Sequence, residues 1–168
     1  MLCLFAACQP GQPSNSQENG KGSKASSAAV DSQTYFPISI GNQPLQLQLA
    51  LEPAEKQRGL MFRQELAEDQ GMLFLFEGSA RRGFWMRNTG IPLDIGYFDA
   101  SGRLLEVHKL FPYDENTVAS RSHEVMIAVE TNRGWFERNN VSPGARIDME
   151  ALKQALNARN WKHPSLHD

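Results

Sequence analysis

The residues best suited to chemistry lie close together in a short stretch that is otherwise apolar. Arg87, Asn88, Thr89 and Asp94 interrupt a run of large apolar side chains that begins at Phe84. A guanidinium binds a carboxylate or another anion through paired hydrogen bonds, and a polar-lined bend beside an aromatic side chain can form the floor of a ligand pocket. The candidate binding residues are Arg63, Trp85, Arg87, Asn88, Thr89 and Asp94.

Asp94 is the candidate catalytic residue, and its charge needs a partner. It sits one residue inside a predicted buried strand, where an unpaired carboxylate would be very costly. Arg87 is the nearest cation, presented across the bend, and Arg63 is the second candidate. Two interpretations stay open: a ligand-binding or catalytic cluster at one end of the fold, or a structural ion pair and turn network that closes the bend. We favour the structural one, because no nucleophile with a positioned base accompanies these residues.

Histidines and methionines give little support for a metal site or a cofactor. The histidines are His108, His123, His163 and His167. They lack the short spacings that zinc sites use. The methionines of the ordered segments are Met61, Met72, Met86 and Met126. Each lies inside an aromatic or aliphatic run, as methionines that fill core gaps do. We therefore predict no metal and no cofactor.

Composition and charge describe an ordinary globular domain. The chain has 168 residues, of which 40% are hydrophobic and 21% charged, enough for one domain with a true core. A formal net charge of −2 gives no electrostatic case for binding nucleic acid. No apolar run approaches the ~20 residues of a membrane-spanning helix. Both cysteines, Cys3 and Cys8, precede the folded region, which leaves it without a disulfide or a thiolate metal site.

The N-terminus predicts a lipid anchor followed by a tether. Phe5-Ala6-Ala7-Cys8 is similar to a bacterial lipobox, so residues 1–8 are interpreted as the remnant of a lipoprotein signal with Cys8 as the lipidated residue. Gln9 in the second position resembles the pattern of lipoproteins that move on to the outer membrane. Residues 9–33 are rich in Ser, Gly and Gln without periodicity, which predicts a disordered tether.

The elements that position the polar cluster are predicted to be short strands. Alternating or dense apolar residues predict strands at Thr34–Ile40, Leu45–Leu51, Gly71–Phe76, Leu93–Phe98, Leu104–Phe111, Val125–Glu130 and near Arg146. A short helix is predicted from Pro53 and a helical turn from Gly134. Met149, Leu152 and Leu156 share one helical face. The predicted fold is mainly β: a compact antiparallel β-sandwich or barrel over residues 34–148, with short peripheral helices and a C-terminal helix and tail over residues 149–168.

Three ordered segments carry a resemblance to a known family. The segments are Gly59-Leu60-Met61-Phe62-Arg63, Gly71-Met72-Leu73-Phe74-Leu75-Phe76, and Phe84-Trp85-Met86-Arg87-Asn88-Thr89 with Ile91-Pro92-Leu93-Asp94. The chain from Tyr35 to Asp148 resembles the DUF192 family of small bacterial and archaeal domains. Gly90 stands where the family pattern has a bulky apolar residue, and Thr131-Asn132-Arg133 where small residues are usual. The resemblance implies the fold and no reaction.

These observations support two hypotheses about function. The first is an envelope-anchored lipoprotein domain that faces the periplasm, with the outer membrane as the candidate location of its anchor. It would be a non-catalytic binding or accessory module for a small molecule, a glycan or a protein partner. The alternative is a hydrolase-like enzyme that uses Asp94 with Arg87 or Arg63. The absence of a nucleophile motif, a metal motif or a phosphate-binding loop from the sequence favours the first.

Overall fold

The computed structural model describes residues 30–163 of the chain. Cys8, most of the predicted tether and residues 164–168 lie outside this range. Within it, no helix is both long enough and apolar enough to cross a lipid bilayer.

The described residues form eight strands and three helices. The strands are β1 (Phe36–Pro37), β2 (Gln46–Ala50), β3 (Gln70–Ala80), β4 (Gly83–Phe84), β5 (Leu93–Phe98), β6 (Leu104–Leu110), β7 (Val118–Ala119) and β8 (Val125–Asn132). The helices are α1 (Pro53–Arg58), α2 (Trp135–Arg138) and α3 (Met149–Ala158). The buried strand predicted from Leu93 to Phe98 is β5, and all of its residues are buried.

One sheet contains six of these strands, in the order β1-β2-β3-β8-β5-β6, and β4 pairs with β7 in a second, two-stranded sheet. Neighbours are antiparallel except β2 and β3, which are parallel. Parallel neighbours require a crossover connection, and α1 with the segment after it supplies one. The prediction of a mainly β fold with short helices and a C-terminal helix is confirmed, and the sheet is mixed rather than wholly antiparallel.

A short segment before α3 joins the two outer edges of the curled sheet. Ile147 bridges to Ile40, which follows β1, and Arg146 bridges to Arg103, which precedes β6. The backbone N–H of Gly41 also donates to the carbonyl oxygen of Arg146 at 2.7 Å. Because these contacts link the first and the last strand, they satisfy edge backbone groups and bring the sheet close to a closed barrel at this end.

Alternating side chains divide the core between the two faces of the sheet. Leu73 and Ile127 belong to the core that packs against α2 and α3. Phe74 and Ala128, one residue further along the same strands, belong to the core on the opposite face, which also buries Leu60 after α1. The candidate site described below lies on this second side.

The C-terminal helix packs on one face of the six-stranded sheet. Asp148 begins it as the N-cap, with its carboxylate accepting the backbone N–H of Ala151 at 2.9 Å. Leu152 and Leu156 are buried in the first core, and Met149 is partly buried against it. The helical face predicted from these three residues is therefore the face that docks.

Candidate functional site

The predicted polar cluster is divided among separate places in the fold. Asp94 lies beside the turn that follows β8. Arg63 lies in a cavity next to β2. Arg87 and Asn88 line a groove beside α1, and Thr89 lines a deeper slot.

Asp94 does not pair with Arg87 or Arg63, so the predicted ion pair is wrong. Its Oδ2 accepts the backbone N–H of Gly134 at 2.7 Å, and its Oδ1 lies 3.4 Å from Nε of Arg133. The cause is strand register: Asp94 is opposite a residue near the end of β8, so its carboxylate meets the turn that follows that strand. The cation that the buried carboxylate requires is present, but it comes from another part of the chain.

Arg133 links the backbone of β5 and β6 at this end of the sheet. Its Nε donates to the carbonyl oxygen of Leu93 at 3.1 Å, and its guanidinium also donates to the carbonyl oxygen of Leu110. Burial raises the pKa of Asp94, and the Gly134 hydrogen bond and the Arg133 charge offset only part of that rise. Asp94 lines none of the cavities around α1. The contacts of Asp94 therefore indicate a structural role for this carboxylate.

Arg63 is held by polar side chains at the edge of a cavity of about 410 Å³, here called the side cavity. One of its guanidinium nitrogens donates to the hydroxyl oxygen of Tyr35 at 2.9 Å, and the other to Oε1 of Gln48. These bonds use part of its donor capacity and fix its position. Arg63 and Asp94, which the sequence analysis grouped together, therefore lie in separate places.

Beside the C-terminal half of α1 lies a groove of about 370 Å³. It is lined by Ala54, Gln57, Arg58, Met61, Phe62, Trp85, Arg87 and Asn88. Phe62 and Trp85 are 65% and 42% exposed, and the guanidinium carbon of Arg87 lies 5.5 Å from the Trp85 ring centre. The groove therefore combines exposed aromatic faces with two arginines.

Two facing residues of this groove have a left-handed backbone conformation. Phe62 has φ of 64° and Asn88 has φ of 54°, both in the left-handed region. The N–H of Phe62 donates to the carbonyl oxygen of Asn88 at 2.8 Å, which ties the two loops together. A bulky residue rarely adopts this conformation. The structure thus holds the Phe62 ring in solvent at the expense of local strain.

A narrow slot of about 30 Å³ lies beside the groove, and Glu130 is one of the residues that line it. The lining residues are Lys56, Gln57, Arg58, Gly59, Leu60, Met61, Phe74, Phe84, Trp85, Thr89 and Glu130. The slot shares Gln57, Arg58, Met61 and Trp85 with the groove. Two of the predicted binding residues, Trp85 and Thr89, are therefore brought next to a carboxyl group that the sequence analysis did not select.

Glu130 is the titratable residue that sequence reasoning missed. It is 5% exposed, and within residues 30–163 its carboxyl has no hydrogen-bond or ion-pair partner. Burial raises its pKa to about 8, so the carboxyl is mostly protonated at neutral pH. The signal was available, because Glu130 interrupts the apolar run of β8 as Asp94 interrupts that of β5. Its position near the predicted end of the strand concealed it.

Gly59 lines the slot with a backbone conformation that favours glycine. It has φ of 47°, and a Cβ placed there would lie 3.4 Å from the Phe74 ring and 4.0 Å from Oε2 of Glu130. Any other residue would be strained at this φ, and its Cβ would contact the walls of the slot at ordinary van der Waals distance. The glycine at the end of α1 therefore serves both the turn and the cavity.

Two positions that depart from the family pattern are locally compensated. A Cβ on Gly90 would clash with the hydroxyl oxygen of Tyr113, so in this chain the Tyr113 ring occupies that space. Asn132 donates from its amide nitrogen to the carbonyl oxygens of Leu66 and Ala67 at 2.9 Å each. Both substitutions fit the fold through contacts of their own.

No cluster of three or more His, Cys, Asp or Glu side chains suited to a metal ion occurs within residues 30–163. His108 lies 2.7 Å from the Glu106 carboxylate, which also accepts the backbone N–H groups of Arg121 and Ser122. His163 lies 2.9 Å from the carbonyl oxygen of Phe76. For the whole chain, the absence of a metal and of a cofactor stays a prediction.

Comparisons with known proteins identify relatives by sequence and by fold. The family model DUF192, described as "Uncharacterized ACR", matches residues 36–149. A solved protein of unknown function from Novosphingobium aromaticivorans DSM 12444 is 32% identical with a TM-score of 0.65, over 68% of this chain and 84% of that chain. A solved protein from Sinorhizobium meliloti 1021, described as a proposed transcription regulator, is 31% identical with a TM-score of 0.67, over 71% of this chain and 96% of that chain. No curated protein matches the chain.

Proposed function

The chain belongs to the DUF192 family, as its sequence predicts, and we propose that it is a non-catalytic binding module whose groove holds a ligand with a flat apolar group and an anionic group. The observation that supports this function most directly is Phe62, which is 65% exposed at φ of 64°. A strained backbone that keeps an aromatic ring in water costs free energy and adds nothing to the core. Such positions are typical of binding surfaces.

The chemistry of the groove defines the class of ligand. Phe62 and Trp85 offer exposed rings that can stack on a flat apolar group. Arg58 and Arg87 line the same groove and can each bind a carboxylate or phosphate through paired hydrogen bonds. A volume of about 370 Å³ suits a small molecule, a sugar ring or a side chain of a protein partner.

The alternative of a hydrolase based on Asp94 loses its physical support. Asp94 is held by Gly134 and Arg133, away from the groove and from both arginines assigned to help it. A general base must come within hydrogen-bond reach of the proton that it removes. Asp94 is 4% exposed and lines none of the cavities described beside α1, and we retain the non-catalytic proposal.

Our proposal also places the module at the bacterial envelope, facing the periplasm. Its support is the lipobox-like sequence that ends at Cys8 and the Ser-, Gly- and Gln-rich residues 9–33 that follow it. Lipid attachment at Cys8 would hold the groove near the membrane, within reach of glycans or envelope proteins. The description of the Sinorhizobium protein concerns that protein, and a net charge of −2 gives this chain no electrostatic basis for binding nucleic acid.

A thermal-shift screen with matched variants tests the groove. The full chain is heated with sugars, nucleotides, peptidoglycan fragments and aromatic carboxylates such as indole-3-acetate. A ligand present at 100 times its Kd stabilises the folded state by roughly 2.7 kcal/mol, which raises Tm by several degrees. The expected result is that an aromatic anion raises Tm for the wild type and not for Phe62→Ala.

The control is Phe111→Ala, which removes another exposed phenylalanine, one that is 55% exposed and lies outside the groove. It should leave the ligand-induced shift unchanged. If no aromatic anion stabilises the wild type, or if Phe62→Ala and Phe111→Ala respond alike, the groove is not the binding site.

A further inference from the structure

The side chain of Glu130 is nearly buried, and its carboxyl group is bound by no other residue of the described range. Glu130 lies in β8 between Met72 of β3 and Ile95 of β5, so its side chain shares the face of the second core. It is 5% exposed and has no hydrogen-bond partner among the described residues. Within residues 30–163 the fully buried side-chain atoms without a partner are Arg82 Nε and Asp94 Oδ1, so the Glu130 oxygens are open to the slot that this residue lines, where an entering group can meet them.

The groups around Glu130 leave it neutral at physiological pH. Burial raises its pKa to about 8. The charged or titratable groups that face Glu130 include Lys56 and Arg58 of α1, which line the slot with it, and Tyr97 of β5, with which it interacts electrostatically. Burial also raises the pKa of Tyr97, which therefore stays neutral. A neutral carboxyl group offers one O–H donor together with acceptor oxygens.

A ligand in the groove can reach this carboxyl group. Arg58, Met61 and Trp85 line both the groove and the slot, so the two cavities adjoin. The slot has a volume of about 30 Å³, which admits one small polar group and excludes a ring. Gly59 also lines the slot, and its φ of 47° favours glycine there, which leaves the space beside Glu130 Oε2 without a side chain.

The lining of the slot selects among polar groups. Lys56 and Arg58 at the rim repel an entering cation. Phe74 and Phe84 form apolar walls, so an anion in the slot would lose water that only the charges of Lys56 and Arg58 could replace. A neutral oxygen faces neither penalty and can accept the O–H of the neutral acid.

We infer that the slot is a subsite of the groove that receives a neutral oxygen acceptor, of the amide-carbonyl class, with Glu130 as its hydrogen-bond donor. Thr89 lines the same slot, and its hydroxyl, which donates to the carbonyl oxygen of Arg87 at 3.2 Å, can still accept an amide N–H. This inference rests on the proposed function, because the groove is the route by which the ligand enters. A full ligand would then carry a flat apolar group, an anionic group and a short amide-bearing arm.

Three small probes test the subsite on the full chain: acetamide, methylammonium and acetate. The readout is the ¹³Cδ chemical shift of Glu130 during titration at pH 6.5 and pH 9.5. Acetamide should give a saturable shift at pH 6.5, and its affinity should fall roughly 30-fold at pH 9.5, where only about 3% of Glu130 stays protonated. The charged probes should give no saturable shift at either pH.

Two variants separate hydrogen bonding from shape. Glu130→Gln keeps an N–H donor at the same place, so acetamide, followed through the methyl signal of Thr89, should bind it equally at both pH values. Glu130→Leu keeps the volume without the donor and should lose acetamide binding. Because acetamide has neither a ring nor a charge, its binding does not need Phe62, and a failure of the groove proposal would leave this result intact.

Other outcomes would overturn the inference. Methylammonium that binds more tightly as pH rises would make the slot a cation site with ionised Glu130. Acetate binding would make it an anion site. If none of the probes shifts the Glu130 signal in the wild type at pH 6.5, the slot is not a ligand subsite.

Discussion

Replacing the buried Glu130 by glutamine should change how the stability of the fold depends on pH. The pKa of Glu130 rises from 4.5 to about 8 on folding because burial disfavours its charged form. The folded state therefore binds this proton more tightly than the unfolded chain does. The stabilisation that results is fully present below pH 4.5 and is lost as pH rises toward about 8.

The size of the effect follows from the difference between the pKa of Glu130 in the unfolded chain and in the folded protein. Between pH 5.5 and pH 7.5 the unfolded chain is already ionised at Glu130 while the folded protein still holds the proton. Wild-type stability should fall by about 1.4 kcal/mol per pH unit through this residue, or about 2.5 kcal/mol across the interval. Glu130→Gln removes that contribution, so its stability relative to the wild type should rise by about 2.5 kcal/mol from pH 5.5 to pH 7.5.

Urea unfolding of both proteins at both pH values measures this double difference. Equal m-values would show that the variant exposes the same surface on unfolding. Glu124→Gln is the matched control, because Glu124 is exposed just before β8 and should give a double difference near zero. A value for Glu130→Gln below about 0.5 kcal/mol, or of opposite sign, would refute the reasoning that burial holds this proton.

Three further predictions test the rest of the structure. Arg133→Ala should lower the free energy of unfolding by about 1–3 kcal/mol, because it leaves buried Asp94 without its cation. Arg138→Ala, which removes an exposed ion pair with Glu68, should cost less than about 1 kcal/mol, and equal losses in chemical denaturation would contradict the difference. Phe62→Gly should abolish ligand binding while raising stability by up to about 1 kcal/mol, since glycine accepts φ of 64° without strain; a loss of stability would show that the ring is needed for packing. Cys8→Ser, in a clone that carries the natural upstream start, should move the protein from the membrane fraction to the soluble fraction, and unchanged fractionation would remove the lipid anchor from the proposal.

Local sequence rules identified the strands well and the partners of polar groups poorly. The dense apolar run of β5 and the glycine and proline before it predicted a buried strand, and β5 has the predicted bounds. The same rules predicted that Asp94 needs a cation, which is correct, and chose Arg87, which is wrong. Sequence distance favoured Arg87, whereas the actual partner, Arg133, reaches Asp94 because β5 and β8 are neighbours in the sheet.

The sequence also separated residues that the fold brings together. Trp85 and Thr89 were selected, and Glu130 was not, yet all three line one slot. Phe62 was noted only as part of a family motif, and its exposure at a strained φ follows from the hydrogen bond to Asn88. A single sequence contains no signal for a contact between loops that depends on the path of β3 and β4 between them.

The sequence by itself determined the fold class, the buried strands, the C-terminal helix and the family, because these depend on the period of apolar residues and on local turn chemistry. Tertiary structure alone decided that β2 and β3 run parallel, that Asp94 pairs with Arg133, and that Glu130 lies beside the groove. The physical reason is that these features depend on strand order and register. Register determines which side chains meet across the sheet, and burial then determines which of them keep their charge.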